Sequence, residues 1–303
     1  MRRYTFILNP QAGKGKAKNL RPKVYNAIKG NLPDEFDIVE TTHVGDATRI
    51  ASESTSQVVV AIGGDGTVHE VANGIIGSEK ILGIIPAGSG NDFIKSILVP
   101  AQFDQALACL VEGRVKQVDV GRVEVLRASG ASTGNPLPSY FVNGLGMGFD
   151  AAVADRTRHI PFTSGTLLYI LAVLQTLGRY QAPTFTTRVD GREGQSKNLL
   201  IAIGNGVCAG GGFYLTPSAK VDDGILDLCL IGEMSAFEIL RLMPKVMRGK
   251  HQDCKSVTFA TGKEINIKSN YPVAVHSDGE IIATDAMELR ITVVPQALRV
   301  IAG

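Results

Sequence analysis

The residue in this sequence best placed to do chemistry is Asp65, a carboxylate inside the glycine turn Gly63-Gly64-Asp65-Gly66-Thr67. The turn follows Val58-Val59-Val60-Ala61-Ile62, a short β-branched run that reads as a buried strand. It precedes a stretch in which Val68, Val71, Ala72, Ile75 and Ile76 share one helical face. Strand, glycine turn and helix N-terminus together make a phosphate seat, because glycine lets the backbone approach closely and the unpaired N–H groups face the anion. Thr67 and Glu70 have the spacing of a capping box, which predicts that the helix starts at the end of the turn. A carboxylate in such a seat repels phosphate unless a cation lies between them, so Asp65 points to Mg²⁺ and a nucleotide.

Two more junctions repeat the pattern. Asn9-Pro10-Gln11-Ala12-Gly13-Lys14-Gly15-Lys16 follows the strand-like Tyr4–Leu8, yet Gly13-Lys14 lacks the earlier glycine and the following Ser or Thr of a Walker A loop. A lone Gly-Lys-Gly is a common turn; here Lys14 would pair with a phosphate oxygen. Pro86-Ala87-Gly88-Ser89-Gly90-Asn91-Asp92 follows Ile81–Ile85, and Phe93 stands where the dinucleotide fingerprint needs its last glycine. Asn91-Asp92 alone would read as a helix cap. Three strand–glycine–helix junctions, two of them carrying acidic residues, are better explained by a shared cleft.

The elements that must hold these turns alternate through residues 1–120: strands at Tyr4–Leu8, Phe36–Glu40, Val58–Ile62 and Ile81–Ile85, with helical stretches between them. Alternation of this kind predicts an α/β domain with a doubly wound, mostly parallel sheet, whose ligands bind at the C-terminal strand ends. Beyond Asp119 the texture changes to strand-like runs at Val123–Leu126, Tyr140–Asn143, Phe185–Val189, Leu199–Ile203, Ile225–Ile231, Ser256–Ala260, Glu264–Ile267 and Glu288–Val294. Turn signals such as Asp190-Gly191 and Thr261-Gly262 join several of them, so residues 121–295 are expected to form a mainly antiparallel, β-sandwich-like second domain. Residues 296–303 carry one more strand-like piece, Leu298–Ile301, with a possible return to the first domain. Ser129–Pro138 reads as a surface loop.

Composition narrows the function classes. At 303 residues the chain is long enough for two cores, and its 20% charged and 44% hydrophobic residues are ordinary for a globular protein. A net charge of +2 gives no reason to expect nucleic acid, although Met1–Pro33 holds eight basic residues and no acidic one. That basic face is suited either to steering a nucleotide, to an anionic membrane surface, or simply to solvation. Four cysteines without metal spacing and five scattered histidines argue for reduced thiols and against zinc. No signal-peptide pattern opens the chain, and the apolar run Leu167–Leu177 is too short to span a bilayer, so a cytoplasmic location is expected. Ile160–Tyr180 is apolar nearly all round and reads either as a core helix or as a surface that dips into the membrane interface.

Taken together, Asn-Pro-x-x-Gly-Lys, Gly-Gly-Asp-Gly-Thr with Glu70 and Asn73-Gly74, and Pro-x-Gly-x-x-Asn-Asp-Phe resemble the diacylglycerol-kinase catalytic superfamily. The chain is most similar to its soluble bacterial lipid kinases, the diacylglycerol/YegS-like lipid kinases. Thr216–Asp227 resembles that family's metal-binding turn and His276-Ser277-Asp278-Gly279-Glu280 its catalytic-base segment, so the resemblance runs the whole chain. It implies an ATP- and Mg²⁺-dependent kinase acting on a hydroxyl of diacylglycerol or a related lipid such as phosphatidylglycerol or a sphingoid base. It further implies ATP contacts from Asn9, Pro10, Gln11, Ala12, Gly13 and Lys14, from Thr41, from Gly64, Asp65, Gly66, Thr67, Val68, His69 and Glu70, and from Ser89. Ser89 stands where threonine is common and keeps the hydroxyl. Asp65 and Asp92 would organise the nucleotide metal, Glu280 would be the general base, and Lys220, Asp223 and Ile225 would hold a structural Mg²⁺. The expected site lies between the two domains, the expected partner is a lipid met at a transient peripheral membrane contact, and a homodimer is left open. The alternatives are a kinase of the NAD-kinase type, acting on a small molecule, and a nucleotide-binding regulator without catalysis. Gly204-Asn205-Gly206 and Gly210-Gly211-Gly212-Phe213 read as cleft or lid segments, or as plain loops.

Overall fold

The computed structural model describes residues 3–13, 15, 17, 20–31, 35–130, 138–149 and 180–303. The chain divides into two compact units, Met1–Val120 with Pro295–Gly303, and Gly121–Val294.

In the first unit, β1 (Tyr4–Leu8), β3 (Val58–Gly63) and β4 (Ile81–Pro86) are buried along their whole length. Their β-branched runs lack polar alternation because a parallel sheet is covered on both faces. The strand order is β4-β3-β1-β2, with β2 spanning Phe36–Glu40 and all pairs parallel. The chain therefore leaves β1 toward β2 on one side and continues at β3 on the other, which puts a topological switch point between the C-terminal ends of β1 and β3. Helices α1 (Leu20–Asn31), α2 (Asp46–Glu53), α3 (Asp65–Ile75), α4 (Phe93–Ser96) and α5 (Phe103–Glu112) fill the crossovers. Val24, Ile28, Leu107 and Leu110 close one core over Phe6, Leu8, Val60 and Ile62. In the terminal segment, Arg299 and Val300 pair in parallel with Ile81 and Leu82 of β4.

The capping-box expectation is corrected. Helix α3 begins at Asp65, with Gly64 as its N-cap and no side-chain cap. The Glu70 carboxylate turns to the neighbouring helix instead, where it accepts the Gly45 and Ala47 N–H groups at 3.0 and 3.1 Å. Those are orphan donors at the start of α2, whose own N-cap Gly45 has no side chain to offer. Thr67 Oγ1 is occupied with Asn9 at 3.1 Å.

In the second unit the strands are antiparallel. β7 (Gly144–Gly148) and β8 (Thr184–Val189) each bridge β9 (Arg192–Gly204) to β12 (Glu264–Ser277), β8 at one end and β7 at the other. β10 (Leu226–Gly232) and β11 (Val257–Gly262) extend the β9 side, while β13 (Glu280–Ile301) pairs with β12. β5 (Val115–Ala128) runs on from the first unit and pairs with β13 and with β6 (Ser139–Phe141). On β9, Ile201 and Ile203 enter one core, whereas Leu200 and Ala202 enter another that is capped by α6 (Ala236–Val246). Burial on both faces explains why this half of the strand is an unbroken apolar run. β7 was not expected: three of its five residues are glycine, which hides a strand from propensity.

Candidate active site

Three turns meet at one edge of the first unit's sheet. Leu8 is level with Ile62, and Ile62 with Ile85, so the chain leaves β1, β3 and β4 side by side. Asn9 stands at the switch point: its N–H reaches the Ile62 carbonyl at 3.1 Å, its Oδ1 accepts the Gln11 N–H at 3.0 Å, and its Nδ2 donates to Thr67. The β3 and β4 turns touch backbone to backbone. The Ala87 N–H donates to the Gly63 carbonyl at 2.7 Å, and a Cβ on Gly88 would lie 2.4 Å from the Gly64 Cα. Only glycine fits at that contact. Gly88→Ala is therefore expected to cost about 1–3 kcal/mol of unfolding free energy, read by urea denaturation; a midpoint equal to wild type would contradict the contact.

This contact brings the acidic residues together. Asp65 opens α3, and its Oδ1 accepts the Asp92 N–H at 2.6 Å. Asp92 is 4% exposed and pairs with Lys95 at 2.6 Å. Asn91 holds a positive φ of 48° and brackets Gly88 with two hydrogen bonds, at 3.0 and 3.1 Å. Ser89 projects from this turn as an exposed residue. Thr67 and Val68 lie under the turn, each 4% exposed, while Gly64, Gly66 and His69 are partly open. Pro10, Ala12 and Gly13 are partly open and Gln11 is exposed; Lys14 lies outside the described residues.

Thr41 joins the same edge, its N–H bonded to the Leu8 carbonyl at 2.9 Å. The turn after it is held by Asp46, whose Oδ2 accepts the Thr42 N–H and hydroxyl at 2.9 and 3.0 Å. The Thr42 N–H first, and then the Arg49 guanidinium, bring this carboxyl down from 3.8 to about 2. A depressed carboxyl stabilises the fold above its ordinary pKa and loses that contribution as pH falls toward the folded value. Asp46→Asn is thus expected to melt below wild type at neutral pH, the two midpoints converging between pH 4 and about 2. A gap unchanged across that window would contradict the assignment.

In the second unit, Glu280 is the exposed first residue of β13, paired with Ser277 across a two-residue hairpin turn. Asp278 and Gly279 make that turn with φ of 51° and 91°, the positive angles of a type I′ turn. The Asp278 carboxylate accepts three consecutive N–H groups, from Val142 at 3.0, Asn143 at 3.0 and Gly144 at 2.9 Å. Behind it, the Asn143 carbonyl accepts the Asn205 and Gly206 N–H groups at 2.9 and 2.7 Å. Asn205 Nδ2 donates to the Val142 carbonyl and Asn143 Nδ2 to that of Cys208. Asn205 is fully buried, so Gly204-Asn205-Gly206 is framework rather than an exposed lid. Gly210–Phe213 is closed by paired Ala209–Phe213 backbone bonds at 2.8 and 2.9 Å. From sequence, Asp278 and Asn205 stand only as members of their motifs and Asn143 only as a strand end; the Asp-Gly hairpin signal is the clue to the turn that Asp278 anchors.

Asp223 also lies in this unit, its Oδ1 accepting the Ile225 N–H at 3.2 Å in the bend made by Gly224, whose φ is 72°. Nearby Asp227 has its carboxyl raised to about 6, by burial first and then by the Asp223 charge. Among the described residues no group of three or more His, Cys, Asp or Glu could hold a metal. The Asp223 carboxylate and backbone carbonyls such as those of Lys220 and Ile225 are hard oxygens, the donor class that Mg²⁺ takes. The open hollow lined by Thr187, Arg192, Lys197 and Thr258 lies toward the Glu264 end of β12, whereas Glu280 follows its Ser277 end. Residues 160–179 of the apolar segment lie outside the described residues.

A family model described as the diacylglycerol kinase catalytic domain matches residues 3–123. A second, described as the YegS C-terminal NAD kinase beta sandwich-like domain, matches residues 143–302. The chain is 32% identical over 288 residues to a probable lipid kinase YegS-like of Yersinia enterocolitica, covering 91% of this chain and 90% of that one. It is 28% identical over 304 residues to a diacylglycerol kinase of Mycobacterium tuberculosis, covering 99% and 94%. In fold it resembles a diacylglycerol kinase from Bacillus anthracis str. Sterne, with TM-score 0.74, 23% identity and coverage of 100% and 97%. Yeast NADH kinase shares the fold more distantly, with TM-score 0.52, 12% identity and coverage of 99% and 83%.

Proposed function

This chain belongs to the diacylglycerol kinase family of lipid kinases, phosphotransferases with an alcohol acceptor, and we propose that it transfers the γ-phosphate of ATP, with Mg²⁺, to a hydroxyl of diacylglycerol or a related lipid. One observation carries the reading: a carboxylate, Asp65, stands inside a glycine phosphate seat at the switch point of a parallel sheet, tied to a second acidic turn. Bound Mg²⁺ would neutralise the phosphates and so remove the repulsion that Asp65 alone would impose.

The proposed roles of the chain's own residues follow from this. Backbone N–H groups of the glycine turns bind phosphate, Lys14 pairs with a phosphate oxygen from the Asn9–Lys14 loop, and Thr41 and Ser89 add hydroxyls. Asp65 and Asp92 orient the metal–nucleotide complex. Glu280 accepts the proton of the lipid hydroxyl as its oxygen bonds to the γ-phosphorus and the bond to the β-phosphate oxygen breaks, releasing ADP. Asp278 holds the hairpin that carries Glu280. Asp223, with the Lys220 and Ile225 carbonyls, holds a structural Mg²⁺. Residues 1–120 with 296–303 would be the nucleotide domain and residues 121–295 the lipid domain.

Calorimetric titration with ATP tests the nucleotide assignment. ATP is expected to bind with Mg²⁺ present and to weaken at least about tenfold after chelation, since the Asp65 carboxylate then faces bare phosphate. Equal affinity with and without the cation would contradict the metal's place beside Asp65.

A further inference from the structure

Helix α6 presents three stripes. Ile239, Leu242 and Val246, all under 10% exposed, pack into the core with Leu200, Phe213 and Cys229. Phe237, Leu240, Pro244 and Met247 recur at i, i+3, i+7 and i+10, a second apolar stripe on another side of the helix. That stripe is open, with Phe237 69%, Leu240 41% and Met247 39% exposed. Beside it run Arg241, Lys245 and Arg248, followed by Lys250. The Arg241 guanidinium lies 5.6 Å from the Phe237 ring centre.

Among the described residues no acid pairs with these cations. Glu238 is committed to the helix cap, accepting the Ser235 N–H and hydroxyl at 2.8 and 2.7 Å. Glu233, just before the helix, pairs with Lys197 at 2.7 Å. Among the described residues none of Arg241, Lys245, Arg248 and Lys250 forms an ion pair. An exposed aromatic and aliphatic stripe edged by unbalanced cations is complementary to one surface, an anionic bilayer. There the rings enter the acyl boundary while the cations stay among the headgroups.

We propose that the Phe237–Met247 face of α6 docks this protein on anionic membrane surfaces. The proposal deepens the lipid-kinase reading and draws its physiological sense from it, since a bilayer is where such a substrate resides. The docking face lies on α6 itself and involves neither the glycine turns nor the Glu280 hairpin.

Cosedimentation without ATP tests it, using phosphatidylcholine vesicles with and without phosphatidylserine. The phosphatidylserine headgroup offers no free hydroxyl, so binding is not substrate capture. Wild type is expected to prefer the anionic vesicles and to lose that preference at high salt. Arg241→Gln with Arg248→Gln should weaken partitioning about 25-fold, at roughly fivefold per cation. Phe237→Ser with Leu240→Ser should weaken it at least about tenfold. Both variants alter exposed side chains, and unchanged melting temperatures verify the fold. Wild-type partitioning in both double variants, or equal binding of wild type to neutral and anionic vesicles, would overturn the proposal. So would a loss of self-association in the Phe237 variant with vesicle binding intact, which would make the face a contact between copies. Transfer to detergent-dispersed diacylglycerol should be unchanged in both variants. If wild type transfers phosphate to no lipid yet docks through α6, the kinase reading fails and the docking face stands.

Discussion

Glu280→Gln is expected to lower phosphate transfer to lipid by about 10²–10⁴-fold while ATP binding and melting temperature stay at wild-type values. The argument rests on chemistry and on where the residue stands. A lipid alcohol is a weak nucleophile that must shed its proton as the new bond forms, and glutamine keeps the shape of the side chain but cannot accept it. Glu280 is exposed at the first position of β13, so the substitution opens no cavity. The hairpin itself is secured by Asp278 through its bonds to three consecutive N–H groups, which Glu280→Gln leaves intact. Steady-state assays against diacylglycerol, with nucleotide affinity measured separately, separate the base from a structural residue. Full activity in this variant would remove Glu280 from the reaction.

Asp65→Asn should be as damaging for a different reason. The amide Oδ1 can still accept the Asp92 N–H, so the two acidic turns stay joined. What disappears is the negative charge, and with it the proposed means of holding a cation against the phosphates. Loss of one electrostatic partner of the transferring group typically costs about 10²–10³-fold in turnover. Mg²⁺-dependent tightening of ATP binding should vanish together with activity. A variant that retained both would show Asp65 to be a turn residue only.

Much of this arrangement is legible from the chain itself because it is local. The runs Tyr4–Leu8, Val58–Ile62 and Ile81–Ile85 are rich in β-branched, aliphatic and aromatic residues, as strands buried on both faces must be, and they lead into Asn9-Pro10, Gly63-Gly64 and Pro86-Ala87-Gly88. Parallel strands place their C-terminal turns on one edge, so the clustering of Asn9, Asp65 and Ser89 follows from order alone. Long-range partners leave no such signal. The Asp278 contacts span 134 to 136 residues, and nothing in Asp-Gly-Glu announces them. Glu70 shows the converse error: its spacing from Thr67 suits a capping box, yet the bare Gly45 end of α2 supplies better donors. β7 stayed hidden because Gly144, Gly146 and Gly148 carry no side-chain pattern, although packing demands Gly148: a Cβ there would lie 2.9 Å from the Leu199 carbonyl oxygen. The second apolar stripe of α6 was present in the sequence, but which stripe is buried depends on Leu200, Phe213 and Cys229, and only the fold brings these together.

The most direct test of the central claim is incubation of the protein with γ-labelled ATP, Mg²⁺ and a total lipid extract, followed by identification of every labelled product. The expected result is label in a lipid phosphomonoester, made by wild type and absent with Asp65→Asn. Label found only in a phosphorylated soluble acceptor such as NAD, or left wholly in ATP and inorganic phosphate, would contradict it.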